Sequence, residues 1–296
     1  MTLRSLVLAG CLLLHAACTE VPGGDEADGG TPDCTGTGTC NSGSGRIPDS
    51  GPPAAGECKF ADGAVDMSVR VVYVVPADRE IDRRYLANLE QSVRHVQLWM
   101  GDHLPAATSF RTHDPVVEVV KTSHPASWYP MDGDQSSSTF FRNGLDDALA
   151  ATGGSVDDPD HVWLFYLAAD PACGQTTGSV GHIALFGEND LRGLVHDPRV
   201  AICPDDAETY GRCRWVGGMA ILLSFALGVP EPAGCADSDP ATGCDDQLLT
   251  RHGYLSYPDA VLGAEQVSYL GESPFMDAGG LPACELDCAA ISPSEE

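Results

Sequence analysis

Basic residues are scarce in this chain: 16 Lys and Arg stand against 43 Asp and Glu, a formal net charge of -27. Such a surface repels phosphate backbones and anionic lipid headgroups, which argues against nucleic acid as a partner. The charge itself reads as a solvated exterior rather than a surface built for one cationic partner. The twelve cysteines include no Cys-x-x-Cys pair, so the sequence offers no thiolate zinc cluster. The nine histidines never fall four residues apart, the spacing with which one helix face grips a metal. Ser224 lacks a Gly-x-Ser-x-Gly elbow, and its simpler role is a bond back to its own helix. Gly174–Gly178 (GQTTG) lacks the lysine of a phosphate loop. There is no internal repeat.

What is present begins with a leader. Arg4 supplies a positive start, and Leu6–Leu14 is an apolar run too short to span a bilayer. Residues 1–18 are therefore expected to be a signal peptide of lipoprotein type. Cys18, after His15-Ala16-Ala17, is the expected lipid-bearing residue. Leu8-Ala9-Gly10-Cys11 leaves too little hydrophobic segment before the cut, and plain cleavage after Ala17 is the alternative. Lipidation at Cys18 leaves ten cysteines outside the leader, an even number suited to disulfides in an oxidising compartment. Thr19 in place of an aspartate points towards the outer membrane. The expectation is an exported, acidic, bacterial envelope lipoprotein whose membrane contact is an N-terminal lipid.

Residues 19–57 are rich in Gly, Pro, Ser and Asp without apolar periodicity, a flexible linker. Cys34 and Cys40 can close a small loop within it. The folded domain, 58–296, has an ordinary apolar share, 43% for the whole chain. Val69–Val75 (VRVVYVV) reads as a buried strand. Asp78 is the expected N-cap of a helix to Met100, with Ile81, Tyr85, Leu89, Val93 and Val96 on its apolar face. Val116–Val120, Val162–Ala168 and Val180–Phe186 read as further strands, and Thr139–Ala151 as a helix.

Trp215–Leu227 is interrupted only by Gly217, Gly218 and Ser224, so it should be a helix buried all round. At about 20 Å it cannot cross a membrane. Its end, Phe225-Ala226-Leu227-Gly228-Val229-Pro230-Glu231, suits a left-handed cap at Gly228 followed by a sharp corner. This segment resembles the zinc-binding consensus of metzincin metallopeptidases, His-Glu-x-x-His-x-x-Gly-x-x-His. With Gly228 as the helix-end glycine, the resemblance puts the zinc ligands at Ile221, Phe225 and Glu231 and the general base at Leu222. Hydrocarbon at Ile221, Leu222 and Phe225 neither donates a lone pair to zinc nor takes a proton from water. Downstream, Leu248–Tyr254, Leu255–Asp259 and Ala264–Leu270 resemble the Met-turn and closing helix of the same family, with Leu249 at the methionine position.

The resemblance covers about Val69–Phe275. It implies a zincin-like α+β fold, a twisted mixed sheet on long helices, with a cysteine-rich C-terminal part. It also implies that Val180–Phe186 is the edge strand that binds substrate by adding a strand. The function then expected is that of a pseudopeptidase without catalytic zinc that holds an extended peptide or protein. The alternative is an active metallopeptidase with displaced ligands drawn from His182, His196, His252 and Glu231. The acids Asp237, Asp239, Asp245 and Asp246 are a candidate Ca²⁺ loop, though without EF-hand spacing. Cys235 and Cys244 are a candidate disulfide, and Cys284 and Cys288 can pair together or pin the tail to the body, Cys58 being one partner.

Overall fold

The protein is described by a computed structural model covering residues 60, 66–130, 138–171, 177–197, 211–231, 245–278, 281–282, 284 and 286–289. The leader with Cys18, the linker 19–57, Cys58, Asp237, Asp239 and the Cys235/Cys244 pair lie outside the described residues.

The run of β-branched residues at the start forms β1 (Ser68–Val75), buried at every position but Arg70. Alternation sends Val69, Val71, Tyr73 and Val75 into one core and Val72 and Val74 into another. Both faces of the sheet are therefore covered, which is why these strands read as continuous apolar runs rather than alternating ones. β1 lies between β3 (Thr112–Lys121) and β4 (His161–Leu167), both parallel to it, and β6 (Ile183–Phe186) continues the parallel set beside β4. The edge strand β5 (Gly178–Val180) runs antiparallel to β6, giving the order β3-β1-β4-β6-β5. A second sheet pairs β2 (Thr108–Phe110) with β7 (Met276–Ala278), which the sequence reading did not anticipate.

Helices α1 (Arg83–His103), α3 (Glu188–Leu194) and α4 (Arg212–Ala226) pack together on one face. The other face carries α2 (Thr139–Thr152), and α5 (Ala264–Glu272) closes the C-terminal part. The expected α+β architecture is present: a mixed sheet packed on helices, with a disulfide near the C-terminus.

Three local expectations are corrected. The N-cap of α1 is Asp82, whose carboxylate accepts the Arg84 N–H at 2.8 Å. Asp78 instead accepts the Ala126 N–H at 2.7 Å, so its capping capacity is spent on a neighbouring loop. Ile81 therefore precedes the helix and is 45% exposed, while Tyr85, Leu89, Val93 and Val96 are buried as expected. The run Val180–Phe186 is not one strand. Gly181, at φ +54°, reverses the chain with His182 and splits it into β5 and β6.

Cys288 pairs with Cys213 rather than with Cys284, and Cys284 is separately disulfide-bonded. The Cys213–Cys288 bond, with Cα atoms 5.2 Å apart, ties the tail to the first turn of α4 across 75 residues. Constraining an unfolded loop of that length contributes up to about 4 kcal/mol in the chain-entropy account. A Cys213→Ala/Cys288→Ala double variant is expected to lose about 2–4 kcal/mol in a denaturant titration. A loss below roughly 1 kcal/mol would mean that the tail is held by packing alone.

Candidate functional site

Helix α4 is built from RCRWVGGMAILLSFA and cannot expose much of that surface. Val216, Met219, Ala220, Leu223 and Ala226 are fully buried, and the Ser224 hydroxyl donates to the Ala220 carbonyl at 2.8 Å. The helix packs on α1, α3, the strands β4–β6 and the turn at 253–255. Close approach at that turn needs a glycine: a Cβ on Gly217 would lie 2.3 Å from the Tyr254 carbonyl oxygen. The helix is not buried all round, however. Ile221 is 7% exposed, but Leu222 and Phe225 are only half-buried, so one flank near the C-terminal end stays open. Ile221 and Phe225, four apart, share one side of the helix.

The end of α4 forms as its sequence requires. Gly228 takes φ +85°, its N–H donates to the Phe225 carbonyl at 2.9 Å, and Val229 N–H donates to Ser224 at 3.0 Å. A Cβ at Gly228 would also meet the Tyr269 hydroxyl at 2.6 Å. The chain then turns through Pro230 to a half-buried Glu231. Buried Gln266 ties three segments together here. Its amide donates to Thr250 Oγ1 at 2.6 Å and lies 3.5 Å from the Pro230 carbonyl, and its oxygen accepts Gly263 N–H at 3.0 Å. Leu249, fully buried, hangs in the adjoining loop by a bond from its N–H to the Val261 carbonyl at 2.9 Å.

The β5–β6 hairpin is fastened to this helix end. His182, in the two-residue turn, donates from Nδ1 to the Ala226 carbonyl at 2.9 Å. In the neutral ring this leaves Nε2 as an acceptor. The His182 carbonyl in turn accepts Trp163 N–H at 2.8 Å, and its ring stands 5.4 Å from that of Phe275. The other candidates do not join it. His252 is exposed and pairs with Asp246 at 3.4 Å, while His196 senses the charge of Arg212 at the opposite end of α4. Among the described residues, the only group of three metal-ligating side chains within reach of one another is Cys213, Asp287 and Cys288. Its two sulfurs are bonded to each other, so it offers no ligand set. Asp245, one of the Ca²⁺ candidates, accepts the Gln247 N–H at 2.9 Å and caps a turn.

The loop after Leu249 is held from the far side by α1. His95 Nδ1 bonds the Tyr257 hydroxyl at 2.8 Å, and Trp99 Nε1 donates to the Pro258 carbonyl at 2.8 Å. Burial pushes the His95 imidazole down to about 4 against the opposing pull of Asp287 and of hydrogen bonds that include the Leu286 backbone. Sequence reasoning missed the organising roles of Gln266, Tyr269, His95 and Tyr257. The glutamine had a readable signal: it stands three residues after Gly263, at the position of the back-reaching half of a capping box.

No protein-family model matches the chain, and no curated protein matches it. Among solved structures it is similar to a catalytically inactive OgpA from Akkermansia muciniphila in complex with an O-glycopeptide (glycodrosocin) substrate. The match has a TM-score of 0.48 and 16% identity, and covers 80% of this chain. This chain spans 65% of that one, less than two thirds of its length.

Two outcomes follow for the site's frame. The folded-state His95 holds its proton less well than the unfolded ordinary value of 6.5, so the unfolded chain binds the extra proton first. Stability is then full above pH 6.5 and falls as pH drops towards 4, by up to roughly 3 kcal/mol. His95→Gln, which keeps a partner for Tyr257, should flatten that part of a pH series of denaturant titrations; an unchanged slope would assign it elsewhere. Gly228→Ala should cost about 1–3 kcal/mol, because alanine meets both a left-handed φ and the Tyr269 hydroxyl. Tyr269→Phe should recover part of that loss in the double variant.

Proposed function

We propose that the chain is an exported, zincin-like pseudopeptidase that binds an extended peptide along β5 without cleaving it. The observation that carries this reading is the edge hairpin fastened by His182 to the end of a helix that has a half-buried flank of hydrocarbon. At Ile221, Leu222 and Phe225, where the resembled motif needs two histidines and a glutamate, that flank can neither hold zinc nor activate water. Among the described residues no strand pairs with the outer edge of β5. An extended peptide can add there as a further strand, its backbone supplying affinity and its alternate side chains meeting Leu222 and Phe225. The leader residues support export, with Cys18 carrying a lipid that holds the domain at the outer membrane.

The two-residue turn makes Val180 and Ile183 a hydrogen-bonded pair, so Ser179 turns its N–H and C=O away from β6. Proline at that position removes the outward donor while leaving the ladder to β6 intact. Ser179→Pro is therefore expected to abolish capture of unstructured casein peptides while shifting stability by less than about 1 kcal/mol. Capture that survives this change would place the peptide elsewhere.

Metal content separates this reading from an active hydrolase with displaced ligands. After zinc exposure and desalting, the full-length protein is expected to retain less than about a tenth of an equivalent by elemental analysis. Near one equivalent, with chelator-sensitive cleavage of casein lost in Glu231→Ala, would overturn the proposal. Conversely, the combined variant Ile221→His, Leu222→Glu, Phe225→His and Glu231→His should gain zinc affinity. A folded quadruple variant that binds none would remove the alignment on which the reading rests.

A further inference from the structure

At the end of α4 opposite the proposed groove lies a charge with no counterpart among the described residues. Arg212, the first residue of the helix, is 1% exposed, and all three guanidinium nitrogens are buried without a hydrogen-bond partner. Among the described residues no ion pair reaches it, in a chain where acids outnumber bases 43 to 16. The other buried arginine of this region behaves differently: Arg192 is braced by Asp170 and Glu188. Burying an unpaired guanidinium is strongly unfavourable, because five N–H donors give up water and receive nothing.

The surroundings of Arg212 add to the positive potential. Gly211 is the N-cap and has no side chain with which to satisfy the first amides of α4. The first turn holds no acid, and it carries Arg214 as well, whose guanidinium lies 4.0 Å over the Trp215 ring. Cations at a helix N-terminus oppose the macrodipole, so this turn has the wrong sign for its own stability. His196, exposed and in a left-handed conformation at φ +53°, is close enough to feel the Arg212 charge. Its imidazole is held below the ordinary value by burial and by that charge.

We propose that Arg212, with the uncapped amides at the start of α4, forms a binding site for a compact oxyanion, a carboxylate or a phosphate. The planar guanidinium fork matches either group bidentately, and the Arg212 and Cys213 amides, which no side chain caps, add donors, the Arg214 N–H being taken by the Gly211 carbonyl at 3.1 Å. The bound anion supplies the negative charge that neither the first turn nor any ion pair provides. The site is separate from the β5 flank, so it survives failure of the peptide-binding reading and that reading survives its failure.

The test is a thermal-melting titration of the full-length protein with sodium phosphate and, separately, sodium acetate, at ionic strength fixed with sodium chloride. The melting temperature is expected to rise saturably with one of the two anions, by roughly 5–10 °C at a hundredfold excess over Kd. The more effective anion gives the chemical class. In Arg212→Leu the rise should vanish, and the variant should melt no lower than the parent in anion-poor buffer, since it loses a buried unpaired charge. Arg212→Lys, which keeps the charge but not the fork, should retain only part of the response. Equal responses in parent and Arg212→Leu, or none in either, would overturn the proposal. Should Arg212→Leu not fold, calorimetric titration of the parent with the same two salts decides it, and absence of a saturable heat counts against the site.

Discussion

A fifteen-residue helix whose only polar side chain after its first turn is Ser224 must be covered wherever the chain can reach it, and the C-terminal half of this protein is arranged around meeting that demand for α4. The sheet and α1 take one side, and the turn at 253–255 takes another by coming within backbone distance of Gly217. The disulfide from Cys213 then holds the tail against the first turn. Burial on so many sides makes the conformation of the helix insensitive to what happens at any single contact. Its half-open flank at Leu222 and Phe225 is therefore a surface of fixed shape rather than a frayed edge.

Rigidity at the C-terminal end has a second origin, in polar groups that serve two elements at once. The Ala226 carbonyl, orphaned by the end of the helix, is satisfied by the ring of His182 from the edge hairpin. Gln266 satisfies its own helix start and the Thr250 turn together, beside the Pro230 corner. His95 reaches from α1 to Tyr257 and feels the tail through Leu286 and Asp287. The His95–Tyr257 and Gln266–Thr250 bonds are buried and join distant segments, the kind whose loss leaves an unsatisfied group rather than a merely weaker contact.

Much of the frame was legible in the sequence because its signals are local and redundant. The strands around Val71, Val117 and Leu164 are β-branched or aromatic runs with no competing reading, and Gly228 announces both a helix end and its own positive φ. Where two residues carried the same signal, the sequence could not choose. Asp78 and Asp82 are both good caps, and only the Ala126 amide, far along the chain, takes the first out of contention. Gly181 could mark a bulge or a turn, and tertiary pairing of Val180 with Ile183 decides for the turn. The hydrocarbon at Ile221, Leu222 and Phe225 was visible at once. The half-exposure of the last two was not, since burial depends on what the neighbouring loops leave uncovered. The lack of a partner for Arg212 among the described residues was likewise invisible, because a sequence shows which charges exist but not which ones meet.

The bond between Cys213 and Cys288 also makes a closed ring of the chain. Within that ring lie all of α4 after its first residues, the corner at Gly228, the Leu249 loop and α5. A peptide bond hydrolysed anywhere between the two cysteines would leave both new ends on one covalent molecule. The pieces would remain at an effective concentration set by the fold rather than by dilution. A chain nicked within this ring keeps its central helix and the Leu249 loop covalently tied to the rest of the domain.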